Sequence, residues 1–164
     1  AFAKQEDLAG NFVDTSRDGF QLALDISCFS LVALCKRALP LLEVRGGAVI
    51  ALTYIGGERA VKNYNVMGVA KSALESSIRY LAADLGPKNI RVNAISAGPM
   101  RTLAARGIKD FMLMYEGAKD KTPLKRNIKT SEVGDTTSFL CSDLASGITG
   151  EIIHVDAGYH AIGV

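Results

Sequence analysis

The sequence predicts an α/β fold built on a doubly wound parallel sheet. Three short, apolar segments rich in β-branched residues are typical of buried strands, and three longer amphipathic segments are typical of helices. These segments alternate along the chain as helix, strand, helix, strand, helix, strand. Such alternation favours parallel strands that are joined by helices packed on the faces of the sheet.

The first half of the chain supplies two of the helices and one strand. Apolar residues recur at helical spacing over Thr15–Pro40, and we expect the proline to end this helix. The run Ala48–Gly56 predicts a strand. A second long helix is predicted over Val61–Leu85, ended by Gly86-Pro87.

The second half continues the pattern after a turn. Ile90–Ser96 predicts a strand that enters the turn Ala97–Thr102. Leu103–Lys121 mixes apolar residues with lysines, so we expect a mobile, partly helical loop. Ser131–Ser142 predicts a helix with Ser131 as N-cap, and Gly150–Gly158 predicts the last strand.

Composition excludes several classes of function. The 164 residues suit one domain, 48% of them are hydrophobic, and the net charge is +2. We therefore expect no nucleic-acid partner and no membrane partner, and no apolar run approaches the roughly 18 residues that span a bilayer. The three cysteines, Cys28, Cys35 and Cys141, are predicted to be reduced, buried thiols of a cytoplasmic protein. His154 and His160 have no ligand partners at useful spacing, so no metal site is expected.

Tyr64 and Lys71 are the candidate catalytic pair. Seven residues turn an α-helix by about 700°, so both side chains share one face, with Cα atoms roughly 10 Å apart along the axis. A small ligand would reach both a phenol and an ammonium there. Spacing alone does not distinguish this pair from one half-buried tyrosine and one surface lysine.

The sequence around Tyr64 and Lys71 favours a functional role for this pair. The segments "TYIGGERAVKNYNVMGVAKSALESSIRYLA", "NIRVNAISAGPMRTLAA" and "FLCSDLASGITGEIIHVDAG" closely resemble the enoyl-acyl-carrier-protein reductases of bacterial type II fatty-acid synthesis. These are divergent members of the short-chain dehydrogenase/reductase superfamily, with a Rossmann-like fold. The resemblance extends over essentially the whole chain. Its most specific element is Tyr-x6-Lys, with a further tyrosine, Tyr54, ten residues upstream of Tyr64.

The resemblance implies a reaction and roles for the residues. Hydride from NADH, with NADPH not excluded, reduces the trans-2 double bond of an enoyl thioester carried by acyl-carrier protein. Tyr64 then donates to the oxygen that gains negative charge, while Lys71 binds the nicotinamide ribose. Tyr54 either lines the pocket near the reacting carbons or is an aromatic plug at a strand end.

The remaining site residues follow from the same resemblance. The predicted cofactor-binding residues are Lys71, Ala97, Gly98, Pro99, Met100 and Thr102. The predicted substrate-binding residues are Phe2, Ala3, Tyr54, Tyr64, Met67, Met100, Ile108 and Phe111. Leu103–Lys121 would form a lid over the substrate.

The family's first βαβ units, with their Gly-rich pyrophosphate turn, have no counterpart in this sequence. We therefore expect the chain to be the C-terminal part of a single Rossmann-like reductase domain from a cytoplasmic homotetramer, inactive by itself. Two alternatives stay open. One is another short-chain reductase such as a 3-oxoacyl-carrier-protein reductase, although that class uses Tyr-x3-Lys. The other is a non-catalytic fragment that contributes only oligomer-forming helices.

Overall fold

The computed structural model describes residues 1–102, 105 and 108–162, and contains one parallel sheet. Its strands β1 (Gly47–Thr53), β2 (Ile90–Ala97) and β3 (Ile152–Val155) lie in the order β1–β2–β3. The predicted strands and their parallel arrangement are confirmed. Both β1 and β3 are shorter than predicted, so Tyr54 and Asp156 lie just beyond strand ends.

Five α-helices surround this sheet in the described part of the chain. They are α1 (Arg17–Leu24), α2 (Ser30–Leu42), α3 (Asn65–Leu85), α4 (Phe111–Lys121) and α5 (Thr130–Cys141).

Helices cover both faces of the sheet, as the doubly wound prediction requires. On one face, Ile78 and Leu85 of α3 and Cys35 of α2 pack against Ile90 and Val92. Residues of the opposite parity in β2 point to the other face, where they pack against α5. The core is therefore split into two layers by the sheet, and β2 is buried almost throughout.

The first predicted helix contains an irregular segment and ends later than expected. A five-residue π-helical segment, Asp25–Phe29, joins α1 to α2. Pro40 does not end the helix, which continues to Leu42. A proline removes a single backbone hydrogen bond, and here Leu39 and Leu42 still pack against the core on either side of it.

Two helix starts also differ from the prediction. Helix α3 begins at Asn65, so Tyr64 is its N-cap rather than an interior residue, because the preceding Asn63 adopts a left-handed conformation (φ 61°). Helix α5 begins at Thr130, with Lys129 rather than Ser131 as N-cap. The Lys129 N–H instead donates to the carboxylate of Glu132 at 2.7 Å.

The segment predicted as a lid is only partly described. Leu103, Ala104, Arg106 and Gly107 lie outside the described residues, as do Gly163 and Val164. From Phe111 onward the segment is a regular helix, α4. The helical periodicity of α4 is not evident in the sequence, because apolar and charged residues are mixed in this segment.

The cysteines are all free, but only Cys35 is buried. Cys28 is partly exposed, and the prediction of a buried thiol was wrong for Cys141, which is exposed. Among the residues that the structure describes, no helix is long and apolar enough to cross a membrane.

Strand β1 lies at an edge of the sheet. It pairs with β2 on one side, and no strand within the described ranges pairs with its other side. Its Leu52 is half exposed. An unpaired apolar edge of this kind is a surface that other strands can join.

Candidate functional site

A cavity of about 520 Å³ opens at the carboxyl ends of β1 and β2. Ligands of doubly wound sheets bind at this edge. All thirteen residues predicted from the sequence line this one cavity: Phe2, Ala3, Tyr54, Tyr64, Met67, Lys71, Ala97, Gly98, Pro99, Met100, Thr102, Ile108 and Phe111. Their individual roles stay predictions.

The two tyrosines form an aromatic pair in the cavity wall. The ring centroids of Tyr54 and Tyr64 are 5.1 Å apart, with the planes at 69°. This edge-to-face arrangement is a favourable one for aromatic rings. The Tyr54 hydroxyl also donates to the sulfur of Met114 at 3.4 Å, so strand end and helix α4 are in direct contact. Tyr64 is 7% exposed, packed with Met67 and Val66 at the start of α3.

Gly56 makes the position of Tyr64 possible. A Cβ added to Gly56 would lie 2.4 Å from the Tyr64 ring, closer than real contacts allow. The turn after β1 therefore passes directly against the Tyr64 ring, with no side chain between them. This contact holds the phenol toward the cavity.

Lys71 reaches the cavity from one face of α3. Its side chain is 8% exposed, and its Nζ donates to the Leu52 carbonyl oxygen at 2.8 Å. An ammonium has three N–H donors. One donor fixes the side chain to the end of β1, which leaves the others for a ligand.

Burial shifts the pKa of each of these groups toward its neutral form. The pKa of Tyr54 is raised to about 12, chiefly by burial. The pKa of Tyr64 is raised further, by burial and then by the nearby Tyr54 and Glu75. Burial lowers the pKa of Lys71, while the charge of Glu75 opposes that shift. The phenol of Tyr64 is thus kept protonated well into the alkaline range, as a hydrogen-bond donor must be.

The turn Ala97–Thr102 forms part of the cavity wall. The Gly98 N–H donates to the Val155 carbonyl oxygen at 2.9 Å. A Cβ at Gly98 would approach the backbone of Asp156 to 3.0 Å, so the glycine lets this turn lie tightly against the end of β3. The Thr102 hydroxyl accepts from the Ala105 N–H at 3.1 Å and keeps its own proton for another acceptor.

The N-terminal segment closes another side of the cavity. Backbone N–H and carbonyl groups of Phe2 both bond to the Ser27 hydroxyl, at 2.9 and 3.0 Å. Ser27 lies in the π-helical segment, so this irregularity holds Phe2 and Ala3 in place. On the opposite side, Phe111 is buried at the start of α4.

Sequence reasoning missed several residues of the wall. Leu8, Leu52, Thr53, Ala105 and Met114 also line the cavity. Thr53 lies near the carboxyl end of the predicted strand Ala48–Gly56, and this position was an available signal. Met114 belongs to the segment predicted as a lid, but no feature of the sequence distinguished it from the neighbouring residues.

The residues present fit the nicotinamide end of a dinucleotide. A buried ammonium that uses one of its donors within the described residues, a neutral phenol and a tight turn in the cavity wall suit a ribose, a carbonyl oxygen and a carboxamide. No group of three or more His, Cys, Asp or Glu side chains arranged to hold a metal ion occurs in the described ranges.

Known proteins share both the sequence and this fold. An enoyl-[acyl-carrier-protein] reductase [NADH] FabI of Bacillus cereus is 59% identical over 163 residues, which are 99% of this chain and 63% of that protein. A Staphylococcus aureus relative, named as the NADPH enzyme, is 57% identical over 99% of this chain and 63% of its own length. The chain therefore spans less than two thirds of the length of these curated relatives.

Solved structures of related proteins match this chain in fold as well as in sequence. A crystal structure of the Bacillus cereus enoyl-acyl carrier protein reductase with NADP+ and an indole naphthyridinone matches with a TM-score of 0.97 and 58% identity, covering 100% of this chain and 63% of that one. The NADH-dependent enzyme of Aquifex aeolicus matches with a TM-score of 0.96 and 52% identity, covering 100% of this chain and 64% of that chain. The family model described as enoyl-(acyl carrier protein) reductase matches residues 1–160. With sequence, fold and cavity in agreement, this chain belongs to the enoyl-(acyl carrier protein) reductase family.

Proposed function

We propose that residues 1–164 act as the C-terminal part of a single Rossmann-like reductase domain. That domain reduces the trans-2 double bond of enoyl-acyl-carrier-protein thioesters in fatty-acid elongation. The observation that carries the proposal is the convergence of Tyr64, Lys71 and the Ala97–Thr102 turn on one cavity. The 3-oxoacyl-carrier-protein reductase alternative is not favoured, because the matching relatives are enoyl reductases.

Each cavity residue has a distinct task in this proposal. A bound nicotinamide cofactor, NADH or NADPH, supplies the hydride. Lys71 holds the nicotinamide ribose with the donors that Leu52 leaves free, and backbone groups of the Ala97–Thr102 turn hold the carboxamide end. Tyr64 donates a hydrogen bond to the thioester oxygen as negative charge develops there, in a site from which most water is excluded. Met67 and Phe111 provide apolar walls for the acyl chain.

The substrate is brought by acyl-carrier protein, and the working assembly is a cytoplasmic homotetramer. Exposed apolar residues on the outer face of α2 support an oligomer, since Leu34 and Leu41 are each more than half exposed. Sedimentation of the complete subunit would measure the assembly size, and a monomer would contradict this part of the proposal.

Substitutions in the complete subunit test the roles of Tyr64 and Lys71. Tyr64→Phe removes only the hydroxyl, so turnover of a crotonyl thioester should fall about 100-fold or more, with little change in cofactor affinity. Lys71→Ala removes charge-assisted hydrogen bonds, so the dissociation constant for NADH should rise about 10- to 100-fold. Tyr80→Phe, the same change at an exposed position of the same helix, is the control. Wild-type cofactor affinity in Lys71→Ala would contradict the role assigned to Lys71.

The proposal also gives residues 103–121 the role of a lid. Phe111 and Ile108 line the cavity, and the Tyr54 hydroxyl contacts Met114 on α4, so a ligand in the cavity would add contacts to this segment. Hydrogen exchange of α4 should slow when cofactor and an acyl ligand bind. Protection in the unliganded subunit equal to that of β2 would contradict a lid that closes on ligand.

The 164-residue chain expressed by itself should bind NADH too weakly to detect. Its cavity offers contacts to the nicotinamide end only, and the free edge of β1 favours self-association. Titration with NADH, followed by nicotinamide fluorescence, measures this directly. Saturable micromolar binding by a soluble 164-residue chain would contradict the proposal that this chain contacts only the nicotinamide end of the cofactor.

A further inference from the structure

Glu75 is a buried carboxylate next to the candidate site. It lies on α3 one turn after Lys71 and is 6% exposed. Residues four apart on a helix have side chains on the same face, so Glu75 and Lys71 are neighbours. Burying a carboxylate is costly unless hydrogen bonds and charges compensate for lost water.

The end of β1 and the turn after it accommodate this carboxylate. The Thr53 hydroxyl donates to Glu75 Oε1 at 2.5 Å, and Thr53 itself is buried. A Cβ at Gly57 would lie 2.6 Å from the same oxygen, so the absence of a side chain at Gly57 leaves room for the carboxylate in this position. These two contacts place the carboxylate beside the end of β1, the strand whose Leu52 carbonyl oxygen accepts from Lys71.

Several charges act on this pair. Burial raises the pKa of Glu75, while the Thr53 hydrogen bond lowers it. Burial lowers the pKa of Lys71, while Glu75 raises it. The other charged or titratable groups that face Glu75 or Lys71 are Glu58 in the turn after β1, Tyr64 at the start of α3, Arg79 on α3, His154 on β3 and the amino group of Ala1.

We propose that Glu75 is a positioning residue that acts through Lys71. Its buried carboxylate keeps the Lys71 ammonium protonated, and so able to donate both to Leu52 and to the cofactor, in a place where burial alone would favour the neutral amine. The proposal rests on the ribose-binding role of Lys71 given above. It assigns the Thr53–Glu75 pair a function in the site, beyond closing the gap between β1 and α3.

Glu75→Gln in the complete subunit tests the proposal, because it keeps the shape and removes the charge. The rate at which acetic anhydride modifies Lys71, measured by mass spectrometry across pH, reports the pKa of that amine without any need for turnover. The midpoint of the Lys71 modification rate against pH should fall by about 1 pH unit, as expected for loss of a nearby opposite charge. The alkaline limit of NADH affinity should move in the same direction. Asp84→Asn, at an exposed carboxylate of the same helix, should leave both unchanged.

Glu75→Met provides a second test, because it also removes the charge and places an apolar side chain at the buried position. The Lys71 midpoint should fall in this variant as it does in Glu75→Gln. An unchanged Lys71 midpoint in a folded Glu75→Gln protein would overturn the proposal. If that variant does not fold, an unchanged Lys71 midpoint in Glu75→Met would overturn it. Failure of the wild-type subunit to reduce a crotonyl thioester would instead refute the proposed function, and the Lys71 midpoint would still decide the role of Glu75.

Discussion

Replacing Gly56 by alanine should disturb the candidate catalytic tyrosine directly. The added Cβ would lie 2.4 Å from Cδ1 and 2.7 Å from Cε1 of Tyr64, and 3.2 Å from Cδ1 of Tyr54. Gly56 does not have a positive φ, so the alanine backbone itself is not strained. The whole effect of the substitution is therefore steric.

The size of the effect follows from these distances. Carbon atoms in good contact are about 3.5–4.0 Å apart, so the Tyr64 ring must move by roughly 1 Å. Tyr64 is buried and packed edge-to-face on Tyr54, so it has little space in which to move. Overpacking of this kind costs about 1–3 kcal/mol of unfolding free energy. A misplacement of about 1 Å at a reacting group lowers turnover by about 100-fold.

Turnover of a crotonyl thioester and denaturant unfolding of the complete subunit measure both consequences. Gly134→Ala is the matched control, because Gly134 lies inside α5 and a Cβ there meets nothing within 4 Å. This control should gain about 0.5–1 kcal/mol of stability and keep its activity. A folded Gly56→Ala protein with wild-type turnover would refute the assignment of Tyr64 as the group whose position limits the reaction.

Three further predictions concern other parts of the chain. Asn93→Leu should lower the unfolding free energy by about 2–4 kcal/mol, because the fully buried Asn93 side chain makes hydrogen bonds with two backbone groups of the segment before β3. Unfolding in urea would measure this loss, and a wild-type unfolding free energy would contradict the prediction. The pKa of Glu132 is lowered to about 2 by its hydrogen bonds with Arg126 and then with a backbone N–H, so its contribution to stability should be complete above about pH 4.3 and be lost as pH falls toward about 2. In Glu132→Gln, the unfolding midpoint should depend less on pH within this window, and an equal dependence would contradict the prediction. A maleimide should modify the exposed Cys141 of the native protein quickly and the buried Cys35 only after unfolding, as mass spectrometry would show, and equal rates would contradict this arrangement.

The sequence by itself determined the order of the elements and most of the site. The β-branched runs and helical periodicities predicted three parallel strands with helices between them, and local chemistry is sufficient for this because each strand contributes apolar residues to the core on both faces of the sheet. The family resemblance, carried by Tyr-x6-Lys and the turn at 97–102, indicated residues that meet in one cavity.

Only the tertiary structure decided where helices begin and which polar groups are buried. Asn63 in a left-handed conformation makes Tyr64 the N-cap of α3, and packing around Pro40 carries α2 past a residue that usually ends helices. The burial of Glu75 depends on a hydroxyl 22 residues away in sequence and on the missing side chain of Gly57. Such contacts join a strand to a helix that is distant in sequence, so no local sequence pattern predicts them.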